Sequence, residues 1–246
     1  IDRKNDGKSI QKIIRGWINR NEKFKYNIWA NSILSKRIIS WILNVDIILN
    51  NGTFDFKKSF LDSIICQTNH LKKNIRSEDD YSNKVEIITA LILSGLVFKE
   101  YNDNFEFGLK ELEKVVKNFF DNEGFPLTRN PNDLVFFLKY LILNKECIKD
   151  AQKYVPEFLE IIIKKNLVCL KNVLTPGNQV PLFNGGTEEN LENFTKFLND
   201  LSYNASDKKK IVGGLTIIKH KDNLIFFDIG GPPKKNFSKT YQSGPL

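Results

Sequence analysis

The sequence has no methionine, two histidines (His70 and His220) and three cysteines (Cys66, Cys147 and Cys169) in 246 residues. So few imidazoles exclude a metal site built mainly from histidine within this chain. The cysteines lie far apart and make neither a metal-type pair nor a disulfide framework, so they read as three small buried side chains. No metal and no cofactor is expected. Long apolar runs are missing too. Nothing reaches the ~18 residues needed to span a bilayer, and the nearest stretch, Ile38 to Leu49, is interrupted by Asn44 and Asp46. No residue pattern recurs at a fixed period, which speaks against the named helical repeats. A chain that opens on Ile1, and closes on Gly244-Pro245-Leu246 just after strand-like sequence, is expected to be part of a longer protein.

What is present is an apolar fraction of 41%, enough for a sizeable core, and a formal net charge of +8. A basic surface suits an anionic polymer, either nucleic acid or acidic glycan. The sequence has no recognition-helix signature, no aromatic–basic stacking strip and no repeat code, so no nucleic-acid partner is expected.

Hydrophobic spacing predicts helices over most of the chain. Ser9 to Asn21 is the first, and Ser32 to Leu49 is a second, with Asn50-Asn51-Gly52 as its stop and Gly52 the natural terminator. Asp55 to Ile75 follows. Tyr81 to Phe98 is nearly all apolar from Ile87 onward, which marks a central helix. Asp103 is expected to cap the next, which runs to Phe119. Glu123 to Pro131 then breaks the pattern, because Gly124 can take a left-handed backbone angle and Pro126 and Pro131 cannot continue a helix. Asn132 or Asp133 is expected to cap a helix over Leu134 to Leu143, and Asp150 to begin another, with a short separate segment over Leu167 to Leu174. Thr175 to Asn178 is turn sequence, Pro181 to Gly186 a second loop, and Glu188 to Leu201 a last amphipathic helix. After Lys210 the composition changes: Gly214 to Ile218 and Leu224 to Asp228 read as a β-hairpin. Helices first and strands afterwards imply an all-α domain and the beginning of a β domain.

Five stretches together resemble the heparinase II/III family of polysaccharide lyases, and most of all a branch common in alphaproteobacteria. They are Trp29, Ser35, Arg37, Ile38 and Trp41; Gln67, His70 and Leu71 with the Ala90 to Phe98 helix; the Glu123 to Pro131 loop; Val180 to Asn184; and Phe227 to Pro233. The likeness runs from about Trp17 to Leu246. It implies a mainly α fold: an incomplete α/α toroid of antiparallel helix pairs over 1–207, followed by the start of an antiparallel β-sandwich domain over 208–246.

The resemblance also implies a chemistry, β-elimination on an acidic, uronate-containing polysaccharide. Such a lyase offsets the charge of the uronate carboxylate, takes the neighbouring proton with a Tyr or His, and protonates the leaving glycosidic oxygen. Asn83 matches the Asn of the family's Asn-His pair, with Lys84 in place of the His. Asn132 and Asp133 stand where a Tyr or His follows the loop. Thr240-Tyr241-Gln242 stands where His-Ala-His is frequent. Tyr241 is thus the candidate base, and Asn83, Arg129, Asn130 and Asn184 are the candidate substrate contacts. The alternative the resemblance allows is a catalytically degenerate glycan-binding or envelope polysaccharide-handling protein. Simpler readings stand beside these. Arg129 can cap a helix or pair with a carboxylate such as Glu123, Asn130 suits a turn before Pro131, and Asn184-Gly185-Gly186 is turn sequence. His70 suits the core or the surface, Trp29 and Trp41 the core, and Lys208-Lys209-Lys210 a solvated linker.

Overall fold

The computed structural model describes residues 3–22, 24–98, 101–220, 223–232 and 235–237. Helices dominate them: α1 (Arg3–Arg20), α2 (Asn31–Leu43), α3 (Val45–Leu49), α4 (Phe54–Asn74), α5 (Tyr81–Val97), α6 (Asn102–Phe119), α7 (Pro131–Asp150), α8 (Glu157–Val173) and α9 (Glu192–Asp200). Three short strands follow, β1 (Ile211–Val212), β2 (Leu215–His220) and β3 (Asn223–Asp228). The chain forms two compact units, Ile1–Leu112 and Glu113–Leu246, with the division falling inside α6.

In the first unit α5 is the central element. Every residue from Val85 to Gly95 is buried, as its nearly unbroken apolar run demands. Asp80 caps it, its carboxylate accepting from the backbone N–H groups of Ser82 and Asn83. α2 packs along α5 and α4, and α1 rests on α4 and α3. Close helix approach requires Gly95, where a Cβ would lie 2.3 Å from the Phe105 backbone nitrogen.

Several helix ends differ from the sequence expectation for reasons visible in the capping. Ser32 to Leu49 is not one helix: it breaks at Asn44, whose side chain bonds back to the Ser40 carbonyl. The left-handed stop after α3 is Asn51 (φ +54°), not Gly52. Thr53 caps α4 by accepting from Phe56 N–H. Asp103 lies inside the first turn of α6 and pairs with Lys72 at 2.6 Å. α7 is capped by Asn130, with Pro131 in the first helical position where its missing N–H costs nothing. Asp150 ends α7 instead of starting a helix, and Leu167 to Val173 is the second half of α8, which Pro156 introduces.

The second unit holds α7 and α8 against each other. Phe119 and Phe137 stack at 4.1 Å in its core. The strands form one antiparallel sheet in the order β1-β2-β3, with β1 beside α8. In the β2–β3 hairpin Ile218 faces Ile225 and Thr216 faces Phe227. That register places Ile211, Ile218, Ile225 and Phe227 on one exposed face. The lysine run before the sheet is not a free linker: Lys209 pairs with Glu123, and its backbone N–H donates to Asn172. The cysteines are not uniformly buried either, since Cys66 is exposed, Cys147 half-buried and Cys169 buried. Among the described residues no helix is long and apolar enough to cross a membrane.

Candidate substrate-contact site

The loop from Phe120 to Asn130 is shaped by its own backbone. Phe120 and Pro126 form an isolated bridge, and Leu127 N–H returns to the Phe119 carbonyl at 2.8 Å. Asp121 closes the turn by accepting from the N–H groups of Glu123 and Phe125 at 2.9 and 2.8 Å. Burial pushes the Asp121 carboxyl above its ordinary range, and the backbone donors pull against that rise. Gly124 takes φ +87°, and a Cβ there would lie 2.5 Å from the Lys165 Cβ. From α8, Asn166 donates to the Gly124 carbonyl and the Cys169 thiol to that of Glu123. Burial first, then Asp121, pushes that thiol up to about 12, so it stays protonated.

This loop delivers Arg129 in the left-handed region, φ +58°. A non-glycine residue there is strained by about 1–2 kcal/mol, and the contacts of its side chain offset the strain. The guanidinium pairs with Asp228, and both side chains are nearly buried, 10% and 6% exposed. Nε donates to the Gly213 carbonyl at 3.1 Å, and Nη1 to those of Gly230 and Gly231 at 3.1 and 2.9 Å. Four of the five guanidinium N–H groups therefore have acceptors, all of them within the chain. The glycines are required by this cradle. A Cβ on Gly230 would lie 2.5 Å from the Arg129 Cζ, and one on Gly214 2.9 Å from its Nη2.

Asn130 and Asn184 join the same corner. The Asn130 side chain accepts from Asn132 N–H at 2.9 Å. The Asn184 amide, itself on a left-handed residue (φ +53°), donates to the Arg129 carbonyl at 3.1 Å. Asn132 ties the two loops together, donating to the Thr187 carbonyl and accepting its N–H, both at 3.0 Å. Beside the guanidinium remains a cavity of about 270 Å³, walled by Asp121, Arg129 and the backbone of the glycine pairs.

Thus the loop, the Val180 to Asn184 stretch and the Phe227 to Gly231 stretch, distant in sequence, meet at Arg129. The carboxylate expected as the partner of Arg129, Glu123, binds Lys209, and Asp228 takes its place. The glycine pairs Gly213-Gly214 and Gly230-Gly231 were the available signal, since paired glycines mark close backbone approach.

Asn83 belongs to the first unit. It sits in the first turn of α5, with its amide donating to Glu78 at 3.4 Å. Tyr241 lies outside the described residues. In the same unit the first two family-like stretches also meet. Arg37 donates to Gln67 at 2.9 Å and to the Ile28 carbonyl at 2.9 Å, and covers the Trp17 ring at 4.0 Å. His70 packs edge-on against Trp29, and burial together with Lys73 lowers its imidazole pKa.

The fold so built is a partial helical toroid followed by the start of a β domain, and it is heparinase-like. No protein-family model matches the chain, and no curated protein matches it in sequence. Solved structures match it in fold. A mutant of heparan sulfate lyase HepC from Pedobacter heparinus superposes with a TM-score of 0.74 over 94% of this chain, at 14% identity. The unmutated enzyme gives 0.71 over 91%, at 13% identity and 41% of its own length. A structure of heparinase III gives 0.59 over 79%, at 17% identity and 33% of its own length. The chain spans only 42% of the first of these proteins.

Proposed function

We propose that the chain is part of a polysaccharide lyase acting by β-elimination on an acidic, uronate-containing polysaccharide. The observation that carries this reading is the fold match to the heparan sulfate lyase over 94% of the chain. The net charge of +8 supports an anionic polymer as partner. The elimination breaks the C–H bond beside the uronate carboxylate, forms a C=C bond and expels the glycosidic oxygen, which takes up a proton. Arg129, through its remaining Nη2–H and its charge, offsets the substrate carboxylate. Asn130 and Asn184 hold the sugar, and Tyr241 takes the proton; Asn83, in the first unit, is a separate sugar contact. Residues 1–207 form the toroid domain and 208–246 the beginning of the β domain.

A specific observation favours a second reading, glycan binding without turnover. Lys84, Asn132 and Asp133 replace the His and Tyr that the resemblance implies. Arg129, Asn130 and Asn132 are engaged by Asp228, the α7 N-terminus and Thr187. One experiment separates the two. The protein is incubated with a panel of uronate polymers, and both unsaturated product and bound polymer are measured. Product that disappears in Tyr241→Phe supports the lyase. Saturable binding with no product supports the second reading. Neither product nor binding on any polymer sinks both.

A further inference from the structure

Elimination from a uronate needs two protein groups at close quarters. One offsets the carboxylate, and the other gives a proton to the oxygen that leaves. The carbon that bears the carboxylate is bonded to the carbon that loses its oxygen. The two protein groups must therefore line one small space.

The second unit has such a space beside Arg129. Its volume of about 270 Å³ lies close to the lower end of small-ligand sites, about 300 Å³, and suits a single sugar unit rather than a run of them. Among the described residues, Arg129 and Asp121 are the titratable side chains in its lining, and the rest of the wall is proline, leucine and glycine. A guanidinium keeps its protons at neutral pH, so Asp121 is the side chain of this wall able to give one up. The two carboxyl oxygens of Asp121 are unequal. Oδ1 accepts from the N–H groups of Glu123 and Phe125 at 2.9 and 2.8 Å. Oδ2 has no hydrogen-bond partner among the described residues and is not sealed from solvent. One oxygen thus fixes the carboxyl in the loop and leaves the other for a ligand. Burial favours the protonated form, while Lys165 on α8 and Lys209 before β1 favour the carboxylate. The carboxylate left by proton transfer keeps both backbone donors, which strengthen as it gains charge.

We propose that Asp121 is the general acid of this site, its Oδ2 giving a proton to the glycosidic oxygen as that oxygen leaves. The assignment rests on the lyase reading. The electron pair of the broken C–H bond forms the C=C bond, the C–O bond breaks, and the expelled oxygen takes the Asp121 proton, which water then restores. The test compares two leaving groups. The protein and its Asp121→Asn variant are each given heparan sulfate, hyaluronan and alginate, and uronosides of the same acidic sugars in which fluoride replaces the leaving sugar. Fluoride departs without a proton donor. The Asp121→Asn amide retains an acceptor for the Glu123 and Phe125 N–H groups, so the loop is kept, and the melting temperature checks this. The expected result is that Asp121→Asn slows release of unsaturated product from polymer about 100-fold while the fluoride reaction stays within about two-fold. Equal loss on both kinds of substrate, or no loss on either, overturns the assignment and leaves the lyase reading standing. No product from any of these substrates with the unsubstituted protein overturns both.

Discussion

Two polar regions of this chain contrast in how they use their charges. At the Arg129 corner the side chains are buried and matched to partners within the protein, down to glycines that leave room for the guanidinium. Along a groove between the C-terminal end of α1 and one face of α4, the carboxylates of Glu22, Asp55 and Asp62 face solvent and make no ion pair among the described residues. The difference teaches that a residue type shared with an enzyme family does not fix its task. A buried cation with four of its five N–H groups engaged carries structure first.

The contrast can be broken or sharpened by substitution. Removing either half of the buried pair, by Arg129→Ala or Asp228→Ala, should leave the other charge uncompensated and cost about 3–5 kcal/mol in urea unfolding. Gly230→Ala places a Cβ 2.5 Å from the Arg129 Cζ and should cost about 1–3 kcal/mol by overpacking. That cost should shrink once Arg129 is itself truncated. Asn130→Ala removes the α7 cap and should cost about 1 kcal/mol, with Asn130→Ser largely restoring it. In the groove, by contrast, Asp62→Asn should shift stability by less than about 0.5 kcal/mol, read from the same unfolding curves.

A pH effect belongs to the first unit. Because the folded-state pKa of His70 is lowered by burial and then by Lys73, the folded protein binds its proton less tightly than the unfolded chain. The contribution is full above the unfolded value of 6.5 and is lost as pH falls through the lower folded value. Thermal melts from neutral to mildly acid pH should therefore slope downward, and His70→Gln should flatten that slope.

Much of the fold was legible in the sequence because it rests on apolar periodicity. The central position of α5 and the β2–β3 hairpin follow from Ile, Leu, Val and Phe spacing alone. Helix ends were less legible, since several side chains compete for each cap. Asn130 took the position expected of Asn132 or Asp133, because Pro131 favours the first helical turn. Asn51 took the left-handed angle expected of Gly52, since Asn tolerates it. The corner was half legible. The loop and its cation could be picked out, but the partner of Arg129 lies 99 residues away at Asp228, and local pattern carries no information about a contact that only tertiary folding makes. The groove was not legible at all, because its residues read as ordinary solvated helix faces.

The most direct test of this account is a double-mutant cycle on Arg129 and Asp228, using Arg129→Ala, Asp228→Ala and the pair together in urea unfolding. A structural clamp predicts that the double variant loses much less than the sum of the single losses, with a coupling of at least about 1 kcal/mol. Additive small losses, with Arg129→Ala leaving stability unchanged, would contradict it.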